Sequence, residues 1–293
     1  MLDVIIALLP ACVAGIIIFG WRALLVLAST TLSAVLAELV FNIIVKKEQT
    51  ITDLSAAVTG LLLGLNVRAD APVWQCVLGA VFAIVVVKCF FGGLGCNFAN
   101  PAVTGRIFMM ICFATTIGGG VELVKNEVGE RIFVTGATPL ANMQNGDGLP
   151  TLLDMFLGKY GGAIGETCTL ALVIGFLYLV LRRVINFEIP LLVVGTVFVL
   201  SLIVDNSFSV ALYHVLAGGL VLGAVFMATD YVTTPITRTG KMIFAVGVGL
   251  ITYLIRKFGS YDEGVSFAIL FMNIISPYIE KWTERRPLGG AKK

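Results

Sequence analysis

The sequence predicts an all-α integral membrane protein of about ten transmembrane helices, arranged as two inverted five-helix repeats with broken helices. Three observations carry this. Hydrophobic residues make up 58% of the 293 and charged ones 13%, with a mean hydropathy of +0.98, whereas a soluble domain is about one quarter charged. The apolar residues fall into ten long runs, and a run of roughly 20 apolar residues spans a bilayer as a helix; runs this continuous exclude a barrel. Finally, Thr59-Gly60-Leu61-Leu62-Leu63-Gly64-Leu65 is echoed by Gly218-Gly219-Leu220-Val221-Leu222-Gly223-Ala224, and two halves with an odd number of crossings are related by inversion.

The runs are 4–20, 23–45, 54–66, 73–91, 101–118, 163–182, 188–205, 208–228, 241–257 and 262–281. The first follows Asp3 where a signal peptide would carry basic residues, and no small-residue cleavage site follows it, so this helix is expected to stay in the membrane. The second contains Glu38. The third is too short to cross alone, and the glycine- and amide-rich approach to the fifth, 92–101, also marks a broken helix. The fourth ends at Lys88, which is read as snorkelling to the interface. Between the fifth and sixth runs lies the only long polar stretch. The eighth holds His214, read as a packed or hydrogen-bonded core histidine, and ends at Asp230. In the tenth, Ser276-Pro277 answers Asn100-Pro101. The expected organisation is therefore a first repeat over 1–118, an extracytoplasmic loop over 119–162, a second repeat over 163–282 and a basic cytoplasmic tail over 283–293.

Orientation follows from the basic residues. With the N-terminus in the cytoplasm, thirteen lie inside, among them Lys46, Lys47, Arg106, Arg182 and Arg183, against seven outside, including Arg68, Arg256 and Lys257. The positive-inside rule then places both ends in the cytoplasm and the polar loop outside. The net charge of +2 gives no reason to expect nucleic acid. The six cysteines form no C-x-x-C pair and are read as small side chains in the apolar interior.

Four groups of residues are candidates for function. In Val134-Thr135-Gly136-Ala137-Thr138-Pro139-Leu140-Ala141 the small Gly136 and Ala137 leave the Thr138 hydroxyl open to a modifying enzyme. Equally, Thr138 is an N-cap with Pro139 as the first residue of a short helix, 140–144. The readings are compatible, since a helix N-terminus also favours a phosphate. Asp230, with Thr233 and the carbonyls freed by Pro235, offers hard oxygen ligands for a small cation or a proton; as a plain helix-end carboxylate it would bind neighbouring backbone N–H groups instead. Glu38 is an ionisable group inside a membrane run, hence an ion-pathway candidate or an interhelical hydrogen-bond partner. Gly92 and Gly93 permit close approach of a planar group, with Asn97 and Asn100 as donors and acceptors.

Taken together and in order, Thr135 to Ala141, Phe91 to Asn97 with Asn100-Pro101-Ala102, and Met227 to Pro235 resemble the D subunits of the Rnf ion-translocating oxidoreductases, relatives of the B subunits of the sodium-pumping NADH:quinone reductases. The resemblance implies covalent FMN held on Thr138 as a phosphoester installed by a flavin transferase, with Thr135, Gly136, Ala137 and Pro139 as its recognition context. It implies membership of a membrane complex that couples ferredoxin and NAD to Na⁺ or H⁺ movement, with a second FMN subunit and iron–sulfur subunits as partners. It leaves room for a second, noncovalent flavin such as riboflavin at Gly92, Gly93, Asn97 and Asn100. The segment before Thr135 departs from the pattern, with Arg131-Ile132-Phe133 where an Asp is common. A channel of the urea or ammonium type also has inverted five-helix repeats, but has no use for a flavin motif.

Overall fold

The computed structural model describes residues 1–125, 131–145, 148–259, 261 and 263–284; most of the basic tail lies outside them. The first half holds α1 (Leu2–Phe19), α2 (Trp21–Val45), α3 (Ser55–Leu65), α4 (Val73–Val81), α5 (Pro101–Cys112) and the single turn α6 (Ala114–Ile117). A hairpin of β1 (Gly120–Lys125) and β2 (Arg131–Gly136) follows, then short α7 (Pro139–Asn145) and α8 (Leu152–Leu157). The second half holds α9 (Thr169–Leu181), α10 (Glu188–Asp205), α11 (Phe208–Leu216), α12 (Leu220–Leu222), α13 (Arg238–Phe258) and α14 (Val265–Thr283). Both α4 and α12 continue into wider π-type turns, over Phe82–Cys89 and Gly223–Met227.

Each apolar run lies on helix, and the boundaries have local causes. Gly20, at φ 74°, ends α1 and reverses the chain into α2. Asn100 caps α5 by accepting the N–H groups of Ala102 and Val103, with Pro101 in the first turn. Asn206 at φ 49° ends α10, and Ser207 caps α11. The sixth run starts later than hydropathy indicates, at Thr169 rather than near 163, because Glu166 and its neighbours form a connection that turns back under the hairpin.

The protein is an all-helical, multi-pass membrane protein apart from the hairpin. Helices α1, α2, α10 and α13 are long and apolar enough to cross a bilayer, and α11 with α12 makes a fifth span bent by 62°. Their outer faces carry exposed Ile17, Ile44, Ile203 and Phe258, as surfaces solvated by lipid require. The packing partners repeat in the two halves: α2 lies against α3 and α4 as α10 lies against α11 and α13, and α4 meets α5 as α13 meets α14. Across the halves α1 packs on α9 and α5 on α14. Small residues allow these contacts. A Cβ on Gly175 of α9 would stand 2.3 Å from the Ala7 carbonyl oxygen of α1, and one on Gly60 of α3 would stand 2.7 Å from that of Thr30.

Candidate functional site

Strands β1 and β2 pair antiparallel with Val121 opposite Thr135. The chain leaves the hairpin through exposed Thr135, Gly136 and Ala137 and then dives inward at Thr138. Here the Ala141 N–H donates to Thr138 Oγ1 at 3.2 Å and the Asn142 N–H to the Thr138 carbonyl at 2.9 Å, so Thr138 does cap α7, with Pro139 as its first residue. The hydroxyl is not open, however: Thr138 is only 5% exposed. The expectation of a bare side chain rests on the small neighbours before Thr138. The anchor comes after it, where Leu140 packs with Met155, Tyr160 and Ala217 and draws the start of α7 into the protein.

Thr138 opens instead into a cavity of about 250 Å³ shared with Asn66, Arg68, Arg106, Glu166, Tyr261 and Glu263. Arg68, in the connection after α3, donates to both Asp70 oxygens at 2.9 and 2.6 Å, to Thr135 Oγ1 at 2.9 Å and to the Gly118 carbonyl. It thereby ties Thr135 to the end of α3. Arg106, on α5, donates to the Asn66 side-chain oxygen and to Glu263. Charge asymmetry assigns Arg106 to the cytoplasmic side and Arg68 to the opposite one; they line one cavity, so Arg106 carries no topological information. Two guanidiniums beside a threonine hydroxyl make a place that favours a phosphate.

The carboxylates in the cavity are unequal. Burial and the neighbouring Glu263 charge push Glu166 well above the usual carboxylate range. Burial acts the same way on Glu263, but the Arg106 guanidinium beside it, with a hydrogen bond to Glu166 and the charge of Arg256, holds it below that range. The kinked span supplies the roof. Gly218, at φ 66°, bends the chain between α11 and α12, and Arg256 of α13 donates to the carbonyls of His214 and Ala217 that the bend leaves over.

A second cavity, of about 160 Å³, is lined by Ser55, Lys88, Asn97, Asn100, Thr229 and Asp230 among others. Candidates from two separate stretches, Asn97 with Asn100 and Asp230, therefore meet. Asp230 Oδ1 accepts the Val232 N–H at 3.2 Å, Oδ2 accepts the Thr233 hydroxyl at 3.3 Å, and burial raises its proton affinity. Asn100 is fully engaged: its oxygen caps α5 and its amide donates to the Met227 carbonyl at 3.2 Å. Asn97 donates to the Ala99 carbonyl at 2.9 Å, and no bond from the described residues fixes its oxygen. Gly92 and Gly93 do not line the cavity. They occupy positive φ, 121° and 109°, and open space surrounds Gly93, so a turn rather than a close approach requires glycine there.

A sequence profile of the NQR2, RnfD, RnfE family matches residues 1–289. The chain belongs to this family. It is 42% identical over its whole length to the D subunit of the Na⁺-translocating ferredoxin:NAD⁺ oxidoreductase complex of Acetobacterium woodii, covering 91% of that protein. It is 40% identical, over 99% of this chain and 91% of the relative, to the D subunit of the proton-translocating ferredoxin:NAD⁺ oxidoreductase complex of Clostridium ljungdahlii. At 32% identity it matches the D subunit of an ion-translocating oxidoreductase complex of Escherichia coli over all of this chain and 94% of the other.

In this member of the NQR2, RnfD, RnfE family, Glu38 is the interhelical partner rather than a lone charge. Lys88 donates to Glu38 Oε1 at 2.7 Å and to Ser55 Oγ at 2.6 Å, and the Thr50 hydroxyl donates to Glu38 at 2.7 Å. Lys88 is 2% exposed, so it does not snorkel; its ammonium is drawn inward by the carboxylate. His214 is packed, edge-on to Tyr253 and 3.8 Å from Asp205. The cavity residues that sequence reading missed are Arg68, Arg106, Glu166 and Glu263. Arg106, Glu166 and Glu263 each carried a signal, as charges inside the fifth, sixth and tenth apolar runs; Arg68, between runs, carried none.

Proposed function

We propose that this chain is the D subunit of an ion-translocating ferredoxin:NAD oxidoreductase complex in the cytoplasmic membrane, and that it carries FMN esterified through phosphate to Thr138. The observation that carries the reading is that Thr138 lines one cavity with Arg68 and Arg106. The residues fit the group: a threonine phosphoester in a diester carries one negative charge, and Arg68 and Arg106, although paired with Asp70 and Glu263, keep further N–H groups that can donate to its oxygens. Thr135 serves as context, since its hydroxyl accepts from Arg68 and so aligns that fork beside Thr138. Gly136 and Ala137, both exposed, give a flavin transferase a surface to grip next to the enclosed Thr138, and Pro139 fixes the turn into α7.

The flavin, when bound, supplies one- and two-electron transfer between partner subunits. The protein supplies position and charge: Arg68 and Arg106 hold the phosphate, and Tyr261 and Gly119 bound the space beside it. In the second cavity, Asp230 and Asn97 line the place proposed for the coupling ion, Na⁺ or H⁺, or for a noncovalent riboflavin, with Thr233 donating to the Asp230 carboxylate. Repetition of packing partners, α2 to α5 like α10 to α14, supports ten membrane segments in two inverted repeats. In that arrangement both ends are cytoplasmic and the Thr138 loop is external, so a reporter fused after Lys293 reads inside and one inserted near Asn145 reads outside; the reverse readings sink this topology.

Flavin fluorescence of the chain in a denaturing gel, followed by mass spectrometry of the peptide containing Thr138, tests the central claim. An FMN phosphoester mass on Thr138 supports it. An unmodified Thr138 peptide from cells expressing a competent flavin transferase refutes it.

A further inference from the structure

Glu166 and Glu263 reach the Thr138 cavity from two connections far apart in the chain, and their geometry is incomplete without a proton. Glu166 is 4% exposed. Its Oε1 accepts the Ala163 N–H at 2.7 Å, while Oε2 is buried with no donor among the described residues and the carboxyl group it can bond is that of Glu263. Two carboxylates cannot hydrogen-bond to each other; a carboxylic acid and a carboxylate can. The surrounding charges decide which oxygen holds the proton. Glu263 is fixed as the anion by its ion pair with Arg106, whereas no cation among the described residues forms an ion pair with Glu166. Arg256, Tyr160 and Tyr261 also stand around the pair, Tyr261 lining the same cavity and Tyr160 donating to the Glu166 carbonyl at 2.9 Å. Arg68 is committed to Asp70 across the same cavity.

The pair also touches the break in the second half. A Cβ on Gly219 would stand 3.5 Å from Glu166 Oε2, and one on Gly218 would stand 3.3 Å from Glu263 Cγ. The cavity holding Asp230 ends at Leu62 and the one holding Glu166 begins at Asn66, so one helical turn of α3, about 6 Å, separates them. The Asn66 amide bridges that turn to Met227 Sδ at 3.7 Å.

We propose that Glu166 carries an exchangeable proton shared with Glu263, and that this acid pair is a proton-exchange site of the ion-translocating machinery at the bend between α11 and α12. The exchange is balanced by itself: the proton enters from the cavity water, bonds Glu166 Oε2, donates to Glu263, and leaves to water with the carboxylate restored. The functional role rests on the ion-translocating reading above, whereas the shared proton does not depend on flavin.

The test is infrared difference spectroscopy of the intact complex in membranes during a pH titration, watching the C=O stretch of a buried protonated carboxyl group. The wild type is expected to show this band at neutral pH and to lose it on alkalinisation. Glu166→Gln, which keeps an oxygen for the Ala163 N–H, removes the band and abolishes ion uptake by vesicles. Glu263→Gln removes the like charge while leaving Arg106 and Arg256, so the band appears only at acid pH. Saturating Na⁺ leaves the band in place. Absence of the band in the wild type at neutral pH, its survival in Glu166→Gln, its constancy in Glu263→Gln, or its displacement by Na⁺ each overturns the proposal. Flavin content, measured on the same samples, reports separately on Thr138, so either reading can fail alone.

Discussion

Replacing Lys88 by methionine isolates the energetics of the Glu38–Lys88 pair. Both side chains are almost fully enclosed, 2% exposed for each residue, and their 2.7 Å contact joins α2 to the π-type turn after α4. Lys88→Met keeps the apolar stem and removes the ammonium. Glu38 is then left with only the Thr50 hydroxyl on Oε1, because Oε2 already has no partner among the described residues. Removing one member of a buried pair costs about 3–5 kcal/mol, mostly through the stranded charge. Glu38→Gln is milder, about 1.5–3 kcal/mol, the scale of one charge-assisted hydrogen bond, because Ser55 and an amide oxygen still serve the ammonium. The double replacement Glu38→Leu with Lys88→Met strands nothing and should recover most of the loss. The assay is equilibrium unfolding of the full chain in mixed micelles, run as a double-mutant cycle with Glu38→Leu as the other single variant. Additive losses, or a cost for Lys88→Met within about 0.5 kcal/mol as for an exposed side chain, would refute the reasoning.

Four other outcomes are expected. Thr138→Ala removes the fluorescent band at a stability cost of about 1 kcal/mol for the lost cap, whereas Thr135→Ala keeps the band at reduced yield because only the Arg68 contact is lost; gel fluorescence and thermal unfolding read both. Asn100→Ala destabilises by about 2 kcal/mol, combining a helix cap with a buried hydrogen bond; a change in bound flavin without a change in melting would contradict this assignment. Gly218→Ala forces a side chain into φ 66° and within 3.0 Å of Leu140 Cδ1, costing about 1–2 kcal/mol for the backbone, and lowers modification of Thr138 by displacing α7, measurable by peptide mass spectrometry. Asp230→Asn preserves acceptance from the Val232 N–H but removes the charge, so ion uptake by vesicles falls while the covalent flavin stays; undiminished uptake counts against the ion role.

Much of the helical framework was legible because lipid imposes a strong, local rule: apolar length predicts helix, and the short run ending at Asn66 predicts a break; the bend at Gly218 was not foreseen. The hairpin was not foreseen. Its first strand alternates in Val121-Glu122-Leu123 and its second is β-branched and aromatic in Ile132-Phe133-Val134, signals outweighed by the polarity of the loop around them. Thr138 is singled out by its motif, yet its burial depends on Leu140 meeting Tyr160 and Ala217, contacts that no local pattern encodes. The same holds for Arg106 with Glu263, 157 positions apart, and for Lys88 with Glu38, 50 apart. A charge in one chain shows that a partner is needed, and only the fold shows which.

The two carbonyls at the end of α11 have a consequence for how the protein is made. Their donor, Arg256, follows them by 42 and 39 positions, so a ribosome releases the bent segment well before the side chain that completes it. Until α13 enters the bilayer, the carbonyls of His214 and Ala217 face hydrocarbon or must be served by water or by an insertion factor, at several kcal/mol each if they are not. The fifth span is thus completed late, by post-insertion docking of its neighbour. Chains ended before residue 256 should remain susceptible to membrane quality-control proteases, and those extended past α13 should become resistant.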